Sequence, residues 1–254
     1  MKIGIAGYGY VGQAYEYILK EYHDIIISDP AKGLYGDLHH ADAIIICVST
    51  PARSDGRCHM DNVFDVVDAA PDVPILIKST ISVEGWRTIR DSFPNRSLTF
   101  SPEFLRAEHW KQDIKNTKQF YLGGEATNFW SDILLQALGN VSISIADPEH
   151  LVVSKQLRNS YLALKVSFFN QVYDFCKAKG LVFDDIRRLV CEDERIGNSH
   201  SFVTNERGFG GHCFPKDILA TIRSAQLDGE RLTLLEEALE YNNKVTNEKS
   251  RNNI

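Results

Sequence analysis

Residues 2–29, KIGIAGYGYVGQAYEYILKEYHDIIISD, decide the fold. KIGIAG is a short apolar run closed by glycine, the pattern of a buried strand. VGQAYEYILKEY follows with helical spacing, and DIIISD is a second buried run. Strand, helix and strand in so short a stretch imply two parallel strands joined by a crossover helix.

The turn between the first strand and the helix is GYGYVG, Gly7 to Gly12, which fills the pattern GxGxxG in its required strand–turn–helix context. Gly7 suits the tight turn, Gly9 lets backbone N–H groups approach a pyrophosphate, and Gly12 lets helix and strand pack closely. Tyr10 and Val11 lie in this turn, where the N-terminus of the following helix would face the phosphates of the cofactor. Asp29 ends the second strand, 22 residues after Gly7, where a carboxylate can accept from a ribose 2′-OH and repel a 2′-phosphate. The turn is therefore expected to bind NAD rather than NADP. The alternative is a structural turn with a surface aspartate.

Working outward, ADAIIICVST (41–50), PDVPILIKST (71–80), SLTFSPE (97–103) and VSISIA (141–146) read as further strands, with helices DNVFDVVDAA and VEGWRTIRDSF between. Alternation of this kind predicts an α/β fold with a parallel-rich sheet covered on both faces. From about Pro148 to Lys179 one long helical pattern runs without a breaker and stops at Gly180. Helices near 183–192, 214–227 and 232–248 follow, so a Rossmann-like domain over 1–147 and an all-helical one over 148–254 are expected.

The chain has 254 residues, 43% hydrophobic and 24% charged, with 28 basic and 34 acidic side chains and a net charge of −6. No basic block points to nucleic acid or an anionic membrane. No apolar run approaches the roughly 20 residues of a membrane span. Five scattered cysteines without a CxxC pair suit free thiols in a reducing cytoplasm, and no metal-ligand pattern stands out.

GFGGHCFPKD, residues 208–217, surrounds one thiol with glycine and then with both signs of charge. Free cysteines are usually buried fillers. Here Phe209, Gly210 and Gly211 offer backbone for close approach, and Lys216 and Asp217 can activate a thiol or an alcohol. A helix starting at Cys213 would bring Asp217 to the same side and favour negative charge there. A thiol beside a dinucleotide site can trap an aldehyde as a thiohemiacetal and pass on to a thioester.

GYGYVG, SPEFLR at 101–106, KQLRN at 155–159 and GFGGHCFPKD, in this order, resemble the nucleotide-sugar dehydrogenase family, within it the UDP-glucose dehydrogenases above all. The resemblance covers residues 1 to about 245. It implies an NAD-binding domain, a long dimerising helix and a second Rossmann-like domain for the nucleotide. The implied reaction is the four-electron oxidation of a nucleotide sugar's primary alcohol to the acid with two NAD⁺, UDP-glucose to UDP-glucuronate first. By resemblance, Cys213 is the nucleophile, Lys155 and Asn159 stabilise oxyanions, Glu103 is the general base for hydrolysis, and Thr80 with Asp217 holds a water. Thr50, Pro51, Thr80 and Lys216 are implied at the cofactor. Phe104, Leu105, Arg106, Phe209, Gly210, Gly211 and a cross-subunit Arg195 are implied at the substrate.

Three departures accompany the resemblance. Ala107 replaces an acid that helps hold the cofactor in the family. His212 stands beside the cysteine in place of a small residue, as either a helper of the thiol or a packing group. The chain stops where the nucleotide-binding domain is expected, which implies a short form. Alternatives are a dehydrogenase of GDP-mannose, of another nucleotide sugar or of a smaller alcohol, and a non-catalytic NAD-binding assembly protein.

Overall fold

The computed structural model of the chain describes residues 1–51, 53, 58–211 and 213–252, the last five as backbone alone. The chain forms two compact units, one from Met1–Arg53 with Cys58–Lys155, the other from Gln156 onward.

The first unit is built on strands β1 (Lys2–Ala6), β2 (Asp24–Asp29), β3 (Leu34–Tyr35), β4 (Ala43–Ile46), β5 (Ile75–Ile77), β6 (Leu98–Phe100), β7 (Gln119–Gly124) and β8 (Ser142–Ile145). They form one sheet in the order β3-β2-β1-β4-β5-β6-β7-β8. The pairs are parallel except β2 with β3 and β6 with β7. Ile5 pairs with Ile27 on one side and Ile45 on the other, so the central strands are fully buried and can be apolar on both faces. The winding reverses between β1 and β4. In open sheets of this type ligands sit in the crevice beyond the carboxyl ends of the strands at that point.

Helices α1 (Tyr10–Leu19), α2 (Asp61–Ala69), α3 (Val83–Ser92), α4 (Trp110–Asn116) and α5 (Thr127–Leu138) join the strands. Tyr15, Ile18 and Leu19 of α1, Ile114 of α4 and Trp130, Ile133 and Leu134 of α5 share one core with Ile3, Ile5 and Ile45. The expected parallel-rich α/β fold is present. β3, β7, α4 and α5 are additional to the elements read from the sequence.

Helix α6 (Pro148–Lys179) starts with proline in its first turn and Asp147 Oδ1 accepting from the Glu149 N–H at 2.8 Å. It ends at Gly180, whose φ of +68° is the left-handed stop that glycine adopts without strain. Helices α7 (Phe183–Cys191), α8 (Phe214–Leu227) and α9 (Thr233–Asn252) follow. Ala163, Phe209, Ile218 and Ile222 make the core of the second unit, with Val166, Phe214, Leu235 and Leu239 packed on it. Among the described residues no helix is long and apolar enough to cross a membrane, and no group of three or more His, Cys, Asp or Glu side chains is placed to hold a metal.

Candidate active site

At the first turn, Gly7 has a φ of +86° and donates its N–H to Ser28 O at 2.8 Å. A Cβ at Gly7 would lie 2.6 Å from the Cys47 carbonyl oxygen, and one at Gly12 would lie 2.2 Å from the Gly7 carbonyl oxygen. Both positions are thus closed to any side chain. Gly9 differs, because a Cβ there would meet nothing within 4 Å. Gly9 caps α1, whose first residues are Tyr10 and Val11. Open space over bare backbone at a helix N-terminus fits a pyrophosphate.

Asp29 closes β2, and its Oδ2 accepts the Tyr8 N–H at 2.7 Å. That bond fixes the carboxylate at the rim of the turn. Tyr8 is itself held: its hydroxyl bonds the Glu16 carboxylate, a contact that with burial and the Glu16 charge pushes the phenol up to about 12. Lys32 donates to Tyr8 O at 2.5 Å, with its Nζ 5.9 Å from the Tyr8 ring centroid. The hydroxyl of Thr50 donates to Thr80 O at 2.7 Å, tying the ends of β4 and β5, and Pro51 beside it is exposed.

A second group gathers just past β5 and β6. Lys155 Nζ, from the first turns of α6, donates to Thr80 Oγ1 at 2.5 Å. Glu103 Oε1 accepts the backbone N–H groups of Phe104 at 2.7 Å and Leu105 at 3.1 Å. Its Oε2 faces the Lys78 ammonium at 3.2 Å. Leu105 is buried, and Phe104 meets Tyr121 edge-on at 6.3 Å. Arg106 is turned to Asp113 instead, with Nη2 to Oδ1 at 2.6 Å, and its guanidinium holds that carboxyl below the usual range. Ala107 opens a short 3₁₀ turn, Ala107–His109.

In the second unit, Cys213 stands at the N-cap of α8, half-buried, and its carbonyl accepts the Asp217 N–H at 2.9 Å. Asp217 is fully buried. Its Oδ2 accepts from Asn159 Nδ2 at 2.6 Å, and its Oδ1 faces Lys216 Nζ at 2.6 Å. The approach to the cysteine is clamped. Asn242 Oδ1 accepts the Phe209 N–H at 2.6 Å while its Nδ2 donates to Phe209 O at 3.0 Å, and Asn170 Oδ1 accepts the Gly208 N–H at 3.0 Å. Gly210 and Gly211 are exposed, with open space where side chains would stand. His212 lies outside the described residues.

Several expected partners therefore meet: Lys155 with Thr80, and Asn159 and Lys216 with Asp217. Arg195 is not drawn into either group. Its side chain is 88% exposed and spends its guanidinium on Asp193. Sequence reasoning passed over Lys78, Tyr8, Lys32, Asn170 and Asn242. Lys78 left a trace, as a single cation ending the apolar run PILIK. The asparagines left none, since a polar side chain on a helix is ordinarily solvated.

Residues 152–244 match the UDP-glucose/GDP-mannose dehydrogenase family, central domain. The chain is similar to the UDP-glucose 6-dehydrogenase of Rickettsia conorii, with 33% identity over 223 residues, 81% of this chain and 51% of that protein. It is likewise similar to the UDP-glucose 6-dehydrogenase of Rhizobium meliloti, with 29% identity over 220 residues, 80% of this chain and 50% of that protein. The chain thus spans about half the length of the curated relatives it matches. The fold is that of a UDP-glucose dehydrogenase from the archaeon Pyrobaculum islandicum, with a TM-score of 0.82 at 22% identity over 96% of this chain and 68% of that one. A 3-hydroxyisobutyrate dehydrogenase of Mycobacterium tuberculosis has a similar fold, with a TM-score of 0.72 at 18% identity over 94% of this chain and 92% of that one. Residues 152–244 thus match the central domain of that family, and the similarity to a UDP-glucose 6-dehydrogenase runs along 81% of this chain.

Proposed function

We propose that the chain is an NAD-dependent dehydrogenase that oxidises the primary alcohol of a nucleotide sugar, UDP-glucose first, to the carboxylate through a covalent intermediate on Cys213. The observation that carries this reading is the setting of the thiol. Cys213 caps α8, and one turn on a buried carboxylate is gripped by Asn159 and Lys216. A filler cysteine needs no such arrangement.

When bound, NAD⁺ accepts one hydride in each of two oxidations. The residues of the first turn fit its pyrophosphate, and Asp29 fits its adenosine ribose. Lys155 and Asn159, one turn apart on α6, donate to the alkoxide as the alcohol loses its proton. The Cys213 thiolate then adds to the aldehyde carbon, forming a C–S bond, and the same two donors stabilise the resulting oxyanion. Loss of the second hydride leaves a thioester. Water attacks its acyl carbon, Glu103 takes the water's proton, the C–S bond breaks, and the electron pair returns to sulfur. The sum is alcohol, water and two NAD⁺ to carboxylate and two NADH, with the released protons going to solvent.

The same reading includes a cytoplasmic homodimer. Five free cysteines suit a reducing compartment, and α6 presents Leu157, Tyr161, Phe168 and Phe175 outward. The deciding experiment counts NADH formed per molecule of sugar across UDP-glucose, GDP-mannose and UDP-N-acetylhexosamines. Two NADH from UDP-glucose is the expected result. One NADH per substrate would make the chain a simple alcohol dehydrogenase, and none with any sugar would leave a non-catalytic nucleotide-binding protein.

A further inference from the structure

Beyond β5 and β6 lies a buried group that the proposed reaction does not use. Lys78 directly follows β5 inside the first unit, with its side chain 1% exposed. Its Nζ donates to Ser101 Oγ at 3.0 Å and to Pro102 O at 3.0 Å, faces Glu103 Oε2 at 3.2 Å, and lies 5.2 Å from the Tyr15 ring centroid. A lysine this deep is costly to bury unless its partners are fixed. Here two of the partners, Ser101 and Pro102, belong to the segment that leads directly into Glu103.

Glu103 is held on both oxygens. One accepts two backbone N–H groups. The other is buried and has no hydrogen bond among the described residues, only the off-axis Lys78 ammonium. Among the described residues, the titratable Tyr15 phenol from α1 and Cys47 thiol after β4 also feel the charge of Glu103. Burial pushes both upward, the Lys78 ammonium opposes this at Cys47, and the charge of Glu103 adds to the rise at both. With those two neutral, Lys78 is the cation that balances the carboxylate, and it also sets the segment's path.

We infer that Lys78 is the positioning residue of Glu103, holding the carboxylate in place for the hydrolytic half of the reaction. The inference rests on the proposed function, in which Glu103 takes the proton from water as that water's oxygen bonds to the acyl carbon and the thiolate leaves. Lys78 itself touches no reacting atom. It acts by fixing the direction and charge balance of the base, as an ordered support must do for a catalytic group.

The test is rapid-quench intact mass of the Cys213 adduct together with the two phases of NADH release. Lys78→Met should slow decay of the adduct by roughly 10-fold or more, the scale of a weakened general base. It should slow the first oxidation far less. Lys78→Arg should recover part of the loss. Combined with Glu103→Gln, Lys78→Met should add less than about twofold, since residues acting through one another are non-additive. Should Lys78→Met not accumulate folded, Ser101→Ala, which removes one of the bonds that hold the ammonium, should shift the same ratio in the same direction.

Equal slowing of both phases, an unchanged adduct lifetime, or a full additional loss in the Glu103→Gln background would each overturn the inference alone. Wild-type protein that releases one NADH and shows no adduct would overturn the proposed function and the inference with it.

Discussion

Asn159 on α6 donates its Nδ2 to Oδ2 of Asp217 on α8 at 2.6 Å, while Lys216 holds the other oxygen at 2.6 Å. The carboxylate is fully buried, so its charge is balanced at short range or not at all. Asp217→Ala should cost about 3 kcal/mol in urea unfolding, because it leaves Lys216 and Asn159 without their acceptor. Asp217→Asn keeps an acceptor for Asn159 and loses only the charge, so it should cost less than about half as much. Equal losses would show that the ion pair with Lys216, not the hydrogen bond from Asn159, holds the carboxylate's place.

Gly9 and Gly12 should separate binding from folding. A methyl at Gly12 meets the Gly7 carbonyl oxygen at 2.2 Å, so α1 must shift. Gly12→Ala should lose about 2 kcal/mol of stability together with cofactor affinity. Gly9 has a φ of −71° and open space around it, so Gly9→Ala should fold like wild type and still bind NAD at least ~10-fold more weakly, as the methyl enters the room left for the pyrophosphate. Thermal melts with and without NAD measure both. Unchanged NAD affinity in folded Gly9→Ala would remove the pyrophosphate from this turn.

The outline of the fold was legible because its central strands are short, mostly apolar runs and its first turn is local. β3 is two residues long and carries no period at all. β7, QFYLGG, runs antiparallel to β6, and the chain reverses between them through α4 rather than through a tight turn with its own signature. The site divides the same way. GYGYVG and GFGGHCFPKD are contiguous and could be read. The Asn159–Asp217 bond joins residues 58 apart, and the Lys78–Glu103 pair forms because β5 and β6 are neighbours in the sheet. Neither pairing leaves a spacing that a single sequence reveals.

Cofactor choice should depend on two residues of opposite charge. Asp29 is fixed at the rim of the turn by the Tyr8 N–H, where it would repel a 2′-phosphate. Lys32 is close by, tied to the Tyr8 carbonyl. Wild type should prefer NAD over NADP by about 100-fold or more in kcat/KM. Asp29→Ala should raise NADP use, and Lys32→Ala in that background should take the gain away, since the lysine would otherwise pair with the phosphate. Comparable use of both cofactors by wild type would refute the assignment of Asp29.

Cys213→Ala should abolish acid formation from UDP-glucose while leaving NAD binding intact, because no thioester can form without the thiol. Acid production measured at the wild-type rate by chromatography would end the covalent mechanism.

The last prediction concerns α6. Phe169 turns inward and is buried in its unit, whereas Phe168, beside it and edge-on at 5.3 Å, turns outward. Leu157, Tyr161, Phe168 and Phe175 are all exposed, Tyr161 by 61% and Phe175 by 59%, with Leu164 and Val172 half-buried between them. Those positions recur at intervals of three and four, which lines them up in one row along the helix. A row of large apolar side chains on one helix exceeds what an isolated soluble surface ordinarily shows, and a two-fold axis would let the row cover itself. The chain should therefore sediment as a dimer at micromolar concentration, with a melting temperature that rises with protein concentration. Leu157→Glu with Phe168→Glu should give a monomer whose melting temperature no longer depends on concentration, because both side chains leave the protomer's own core untouched. A wild-type monomer at about 10 μM, well above the Kd of a stable dimer, would remove α6 as the seam.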